Sequence, residues 1–430
     1  MTAEIAVLNK SAVALAADSA VTIGRGARAK IYNTVNKIFE LSRGQPVGVM
    51  VYGRLDFMGM PIETVVKQYR EELGGRKFDH LAGYKEDFLS YIARNVPIRQ
   101  EDEDANISVV MSGFFEDIAD EIEARVMDDM RAHGKFRLGK VNFLANGVLN
   151  EEVDRLKAVP FVNGAKKAVV PPTLLPAVDG VAMRFLHKFS PSKETLACAR
   201  KYAGHCIKRA VLSDYRTGIV FAGFGDKEWC PSLEAVELDG VIAGQLKKVD
   251  GRSIDITRGQ IEADIVGFAQ DDMVQSFLHG IDPRLRTYFI DSIGAAIKDT
   301  ASRIISHLVA NQTVASQTLN QLQPDFDSMR EGFRQKADNY IEQVSTSQIR
   351  DMVRAMPKQE LSNLASSLIE ITSLKRKVSR AQESVGGEVD VAVISKSEGF
   401  VWTKRKHYFP KELNPRFFAR HFNGQEQSIP

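Results

Sequence analysis

The chain has 430 residues, with 57 Lys and Arg against 55 Asp and Glu, and a formal net charge of +2. A hydrophobic content of 44% can bury a sizeable core and excludes wholesale disorder. The near-neutral charge gives no global pull towards nucleic acid or an anionic membrane, so neither is expected as a partner.

Taken in order, the N-terminus carries Glu4 where a signal peptide would be basic. No run reaches the roughly 18 apolar residues of a membrane span. Cys198, Cys206 and Cys230 are too few for a disulfide framework and point to a reducing, cytoplasmic setting. Residues 5–8 and 11–17 predict two strands around an Asn9-Lys10 turn. Their continuous apolar character suggests a sheet covered on both faces. Residues 37–41 alternate as a strand, and 47–53 form another that ends at Gly53. Residues 54–73 have helical periodicity, with Met58, Ile62, Val65, Val66 and Tyr69 on one stripe.

Residues 76–210 read as helical, with helices over 79–94, 114–132, 150–156 and 193–208 and a break at Pro171-Pro172. Strand patterns return at 218–225, 233–238, 241–246 and 263–268, and a helix begins within 270–280. Residues 284–380 are helical and polar-rich, with an apolar stripe over 361–371. A hairpin over 389–394 and 399–403 precedes a basic, aromatic tail, whose aromatic side chains are expected to dock on protein while the charges stay wet.

Thr2 follows the initiator Met. If Met1 is removed, Thr2 carries both a hydroxyl and a free α-amine. Such an amine, with an ordinary pKa of about 7.7–8.0, can act as the base for its own hydroxyl. The arrangement needs a nearby cation, a carboxylate to balance it, and N–H groups aimed at an oxyanion. Asp18 closes the strand expected to pair with the Thr2 strand, Lys37 opens the next, and Gly53 ends an apolar strand where a substrate backbone could approach. The spacing of Cys198, His205, Cys206 and Cys230 fits no common zinc pattern, so no metal is expected and the thiols read as buried.

The stretches Ala16-Ala17-Asp18-Ser19-Ala20-Val21-Thr22-Ile23-Gly24, Asn36-Lys37-Ile38 and Val51-Tyr52-Gly53, following Thr2, resemble the opening of a proteasome β-type or HslV-like N-terminal nucleophile (Ntn) hydrolase. Residues 385–394 resemble the Gly-Gly turn and strand that close that family's domain, and 218–238 its central hairpin. The resemblance implies an α+β, four-layer αββα sandwich with added helical insertions. Its parts would be 2–75 and 211–280 of the core, helical segments 76–210 and 281–360, the last helix and closing strands over 361–404, and a tail over 405–430. It implies peptide-bond hydrolysis through an acyl-enzyme on Thr2, with Asp18, Lys37 and Gly53 as catalytic partners and Ser19, Ala20 and Thr22 along the substrate. The family's Gly-Ser-Gly turn and Asp-x-x-Ser motif correspond to 267–271 and 382–385, without the Ser and the Asp. Gln270, Asp271, Glu383 and Ser384 are the candidates to take their place. No cofactor is implied. A homo-oligomer, ring-like in the family, and an ATPase unfoldase are the implied partners. Two other readings stay open: a small-molecule amidohydrolase of the same fold, and an inactive assembly relative.

Overall fold

A computed structural model describes residues 3–23, 30–134, 137–256, 261–309, 311–378, 386–407, 409–416 and 419. The chain is a mixed α/β protein built around two five-stranded sheets, and it divides into two compact units. The first unit takes residues 1–35, 260–393 and 402–430, and the second takes 36–259 and 394–401.

The sheet that contains the N-terminal strand has the order Ala263–Ala269, Ala3–Asn9, Ala12–Ala17, Asp390–Ser395, Gly399–Lys404. The N-terminal strand pairs antiparallel with both neighbours, setting Ala3 opposite Ala269 and Ile5 opposite Ala16. Ala3, Ile5 and Val7 share a face with Ala12, Ala14 and Ala16, as the period of two requires. That face packs on Val274, Val353, Leu361, Ala365 and Leu368 of the helices Asp272–His279, Ser347–Ala355 and Lys358–Val378. Small side chains on the second strand let these helices lie close. Ala6, Leu8, Val13 and Leu15, on the other face, are also fully buried. Pro283–Leu308, Gln312–Gln321 and Gln323–Ile341 are further helices of this unit.

In the second unit the order is Gln245–Asp255, Ser232–Ile242, Thr217–Gly223, Val47–Gly53, Ile38–Glu40. Val49, Val51, Ile219, Phe221 and Val236 form a core with the helices Ile62–Leu73 and Leu81–Asn95. Tyr69 and Phe88 meet there edge to face, with ring centroids 5.0 Å apart. The helices Gln100–His133, Leu138–Lys157, Leu175–Leu186 and Lys193–Lys208 enclose a separate apolar core.

Several local expectations are corrected. The stripe over 54–73 starts its helix only at Ile62. Met58 (φ 53°) and Gly59 (φ 82°) instead turn a two-residue hairpin, Asp56–Phe57 with Met60–Pro61. The strand read over 241–246 spans a hairpin turn, with Ala243 at φ 55° and Gly244 at φ 70°. Of the three thiols, Cys206 alone is buried, whereas Cys198 and Cys230 are partly exposed.

Candidate active site at the N-terminal strand

The continuous apolar run 12–17 pairs with 4–8 until Asp18, where the strand ends and the backbone turns away. Asp18 N–H still donates to Ala3 O at 3.2 Å. Its carboxylate is 1% exposed. Oδ1 accepts from Ala3 N–H at 3.1 Å, and Oδ2 accepts from Ala20 N–H at 3.3 Å and Gly386 N–H at 3.0 Å. Three chain segments thus converge on one acid, which as a carboxylate offers only acceptors.

Ser19 locks the same junction. Its N–H donates to Gly386 O at 3.3 Å, its carbonyl accepts from Val35 N–H at 3.2 Å, and its hydroxyl donates to Glu388 O. Gly387 sits at φ +78°, and a Cβ there would lie 2.9 Å from Asn33 and 3.2 Å from the Ser19 Cβ. Glycine is therefore required both for the backbone angle and for the space. Ala20 is fully buried. Thr22 pairs with Ile31 in a two-stranded ribbon.

On the other side of the N-terminal strand, Ala3 lies opposite Ala269, a non-glycine residue at φ 58°. This strained position directs the chain into Gln270, which is buried, and Asp271, the N-cap of the helix Asp272–His279. Asp271 Oδ2 accepts from Gln275 Nε2 at 3.2 Å. The first unit therefore gathers Asp18, Ser19, Ala20, Gln270 and Asp271 around the start of one strand. Thr2, Glu383 and Ser384 lie outside the described residues.

Lys37 and Gly53 belong to the second unit. Lys37, 1% exposed, is among the largest fully buried side chains, and its carbonyl accepts from Val51 N–H at 2.8 Å. Gly53 follows two residues later on that paired strand. It has φ +74°, and a Cβ would meet Arg216 O at 2.5 Å. Lys37 and Gly53 thus sit at the same end of two neighbouring strands.

The second unit also buries a polar cluster. Asp239 Oδ2 lies 3.3 Å from Lys247 Nζ, and Asp239 Oδ1 accepts from Ser213 Oγ at 2.8 Å. Lys247 Nζ donates to Cys206 O at 2.6 Å. Burial pushes the Cys206 thiol up to about 12 and the Lys247 ammonium down from its ordinary value. The pair is at most 1% exposed, so a substrate has no access and the cluster reads as internal bracing. Among the described residues, no group of three or more His, Cys, Asp or Glu could hold a metal ion.

No protein-family model and no curated protein matches this chain. Solved structures that are similar over its whole length include two of the Anbu type. Anbu (ancestral beta-subunit) from Yersinia bercovieri is 9% identical, with 97% of that chain covered and a TM-score of 0.27. The Anbu (Gly-1) mutant from Hyphomicrobium sp. strain MC1 is 8% identical, with 98% covered and a TM-score of 0.29. Likenesses this low carry no argument about this chain. The expected membership of the proteasome β-type or HslV-like family is accordingly corrected: no family model matches, and the structural likeness is too small to assign one.

Two features of the site went unread in the sequence. Gly386 N–H is a direct donor to Asp18, although the two lie far apart in the chain and nothing local marks the pairing. Glu4, read only as an acid near the N-terminus, is 0% exposed. The signal lay in the strand's period of two, which puts Glu4 on the same face as Ala6 and Leu8. No helix among the described residues is long and apolar enough to cross a membrane.

Proposed function

We propose that the chain is an N-terminal nucleophile hydrolase that cleaves peptide amide bonds. Removal of Met1 gives Thr2 a free α-amine. That amine takes the hydroxyl proton as Thr2 Oγ1 attacks the substrate carbonyl carbon. The proton passes to the leaving amine, the C–N bond breaks, and the acyl group remains as an ester on Thr2. Water, deprotonated by the same amine, then attacks the ester, releases the acid and restores the hydroxyl.

Lys37 and Asp18 are assigned the charge balance of this centre, and the Gly53 N–H is assigned to the oxyanion. Ser19, Ala20 and Thr22 are assigned to the edge along which an extended substrate pairs. Gln270, Asp271, Glu383 and Ser384 are assigned to orienting the amine. The four-layer αββα arrangement, self-assembly, an ATPase unfoldase partner and a cytoplasmic setting belong to the same proposal.

The observation that supports it most is the Ala3 N–H to Asp18 Oδ1 hydrogen bond at 3.1 Å. It fixes a buried carboxylate to the amide of the residue that Thr2 directly precedes in the sequence. The test is intact mass after treatment with a β-lactone, an electrophile that acylates threonine. The expected species lacks Met1 and carries one adduct, which Thr2→Ala abolishes. Met1 retained in all of the protein, or an adduct that persists in Thr2→Ala, would falsify the assignment.

A further inference from the structure

The helices Pro283–Leu308 and Gln323–Ile341 pack on each other but bury little else. Only Ile290 of the first is buried, and no residue of the second. Gly294 allows close approach, since a Cβ there would meet Arg330 Cδ at 3.2 Å. Ion pairs Arg286–Asp338 and Arg330–Asp291 tie the helices together, the latter at 3.7 Å. These charges are therefore engaged within the hairpin.

The outer surface is unlike a solvated helical face. Ile293, Ile297, Ile304, Phe326 and Met329 line an open groove of about 530 Å³ between the two helices. Phe289, Ile304, Leu308, Met329, Phe333 and Tyr340 are between 41% and 79% exposed. Together with Ile293, Ile297 and Phe326 of the groove they recur at three, four or seven residues, which places them on a stripe along each helix. A monomeric soluble surface rarely leaves so much contiguous apolar area in water.

We propose that this hairpin is the surface on which two copies of the chain associate, groove against groove. Area argues for a second copy. Large side chains offer roughly 150–250 Å² each, so six that are about half exposed present on the order of 600 Å² before the groove walls are added. A stable interface takes about 800 Å² from each partner. Charge argues the same way. The cations and acids of the hairpin largely answer each other, so an identical surface meets no net repulsion and a strongly charged partner finds no complement. A two-fold contact then covers both stripes at once.

This inference names the surface for the self-assembly in the proposed function and does not depend on the hydrolase chemistry. It is tested by the solution mass of the full chain over a range of concentrations, for wild type, Ile304→Asp, Phe289→Asp and, as a control, Phe143→Asp on a separate helix. The wild type is expected to associate, both hairpin variants to halve the mass or weaken association at least tenfold, and the control to change nothing. A wild type that stays monomeric overturns the surface and the self-assembly together, without touching the Thr2 assignment. An assembly unchanged in both hairpin variants overturns the surface alone. Should circular dichroism show either variant unfolded, wild-type hydrogen exchange decides. Amides of 289–308 are expected to gain protection as concentration rises, and unchanged protection there sinks the proposal.

Discussion

Three backbone amides hold Asp18. Amides from the first strand, from its own turn and from the Gly386 turn all point at its two oxygens. Asp18→Asn keeps the size but gives up one acceptor, because the new NH2 group must face an N–H donor wherever it is turned. Leaving a buried polar group unsatisfied costs about 1–3 kcal/mol. The substitution is therefore expected to lower the stability of the first unit by about that amount and to abolish β-lactone labelling at Thr2. Urea unfolding measures the first effect and intact mass the second. Full labelling at unchanged stability would show Asp18 to be a bystander. At this scale the sequence carried the residue and its neighbourhood, because a polar side chain ending an apolar run must find donors. It could not carry the identity of the third donor, which depends on a loop 368 positions away.

Among the elements, the strands were the most legible. The strands 3–9 and 12–17 are buried on both faces, and the unbroken apolar runs 5–8 and 12–17 announce it. Helices were less so. Gln100–His133 begins well before the expected 114 because its opening turn is charged and its buried residues start only at Asn106. Leu175–Leu186 was hidden by Pro176 and Gly180, yet Pro in the first turn is compatible with a helix start. Asn9 shows how a turn residue can also anchor an element. Besides shaping the turn through Ser11 N–H at 2.9 Å, its Nδ2 donates to Val353 O and Met356 O, both at 2.9 Å. It thereby ties the turn to carbonyls at the C-terminal end of Ser347–Ala355, where Val353 O also accepts from Met356 N–H at 3.1 Å. Asn9→Ala is expected to cost about 1–3 kcal/mol and to raise hydrogen exchange in 347–355 ahead of the rest of the unit. Uniform exchange with an unchanged urea midpoint would refute this anchoring role.

For the whole molecule, the first unit is assembled from segments at both ends of the sequence, with the second unit's main stretch, 36–259, between them. The strand Asp390–Ser395 borders Ala12–Ala17, and Val389, Val391 and Val393 enter the apolar core of that unit. Burying one such side chain contributes roughly 1.5–3 kcal/mol, so three approach or exceed the lower end of the 5–15 kcal/mol that typically separates folded from unfolded domains. Removing the strand also bares the Ala12–Ala17 edge and takes away the Gly386 amide from Asp18. A chain ending at residue 385 is therefore expected to lose exchange protection across 3–17 and 263–269. The deletion also takes 394–401 from the second unit, but protection should persist across 47–53 and 217–223, because their core with Phe88 and Tyr69 contains no residue from the deleted segment. Exchange measured by mass spectrometry separates the two outcomes. If 3–17 stays protected in the truncated chain, the closing strand is dispensable. If both sets of strands lose protection together, the two units fold as one cooperative body and the deletion is felt throughout the chain.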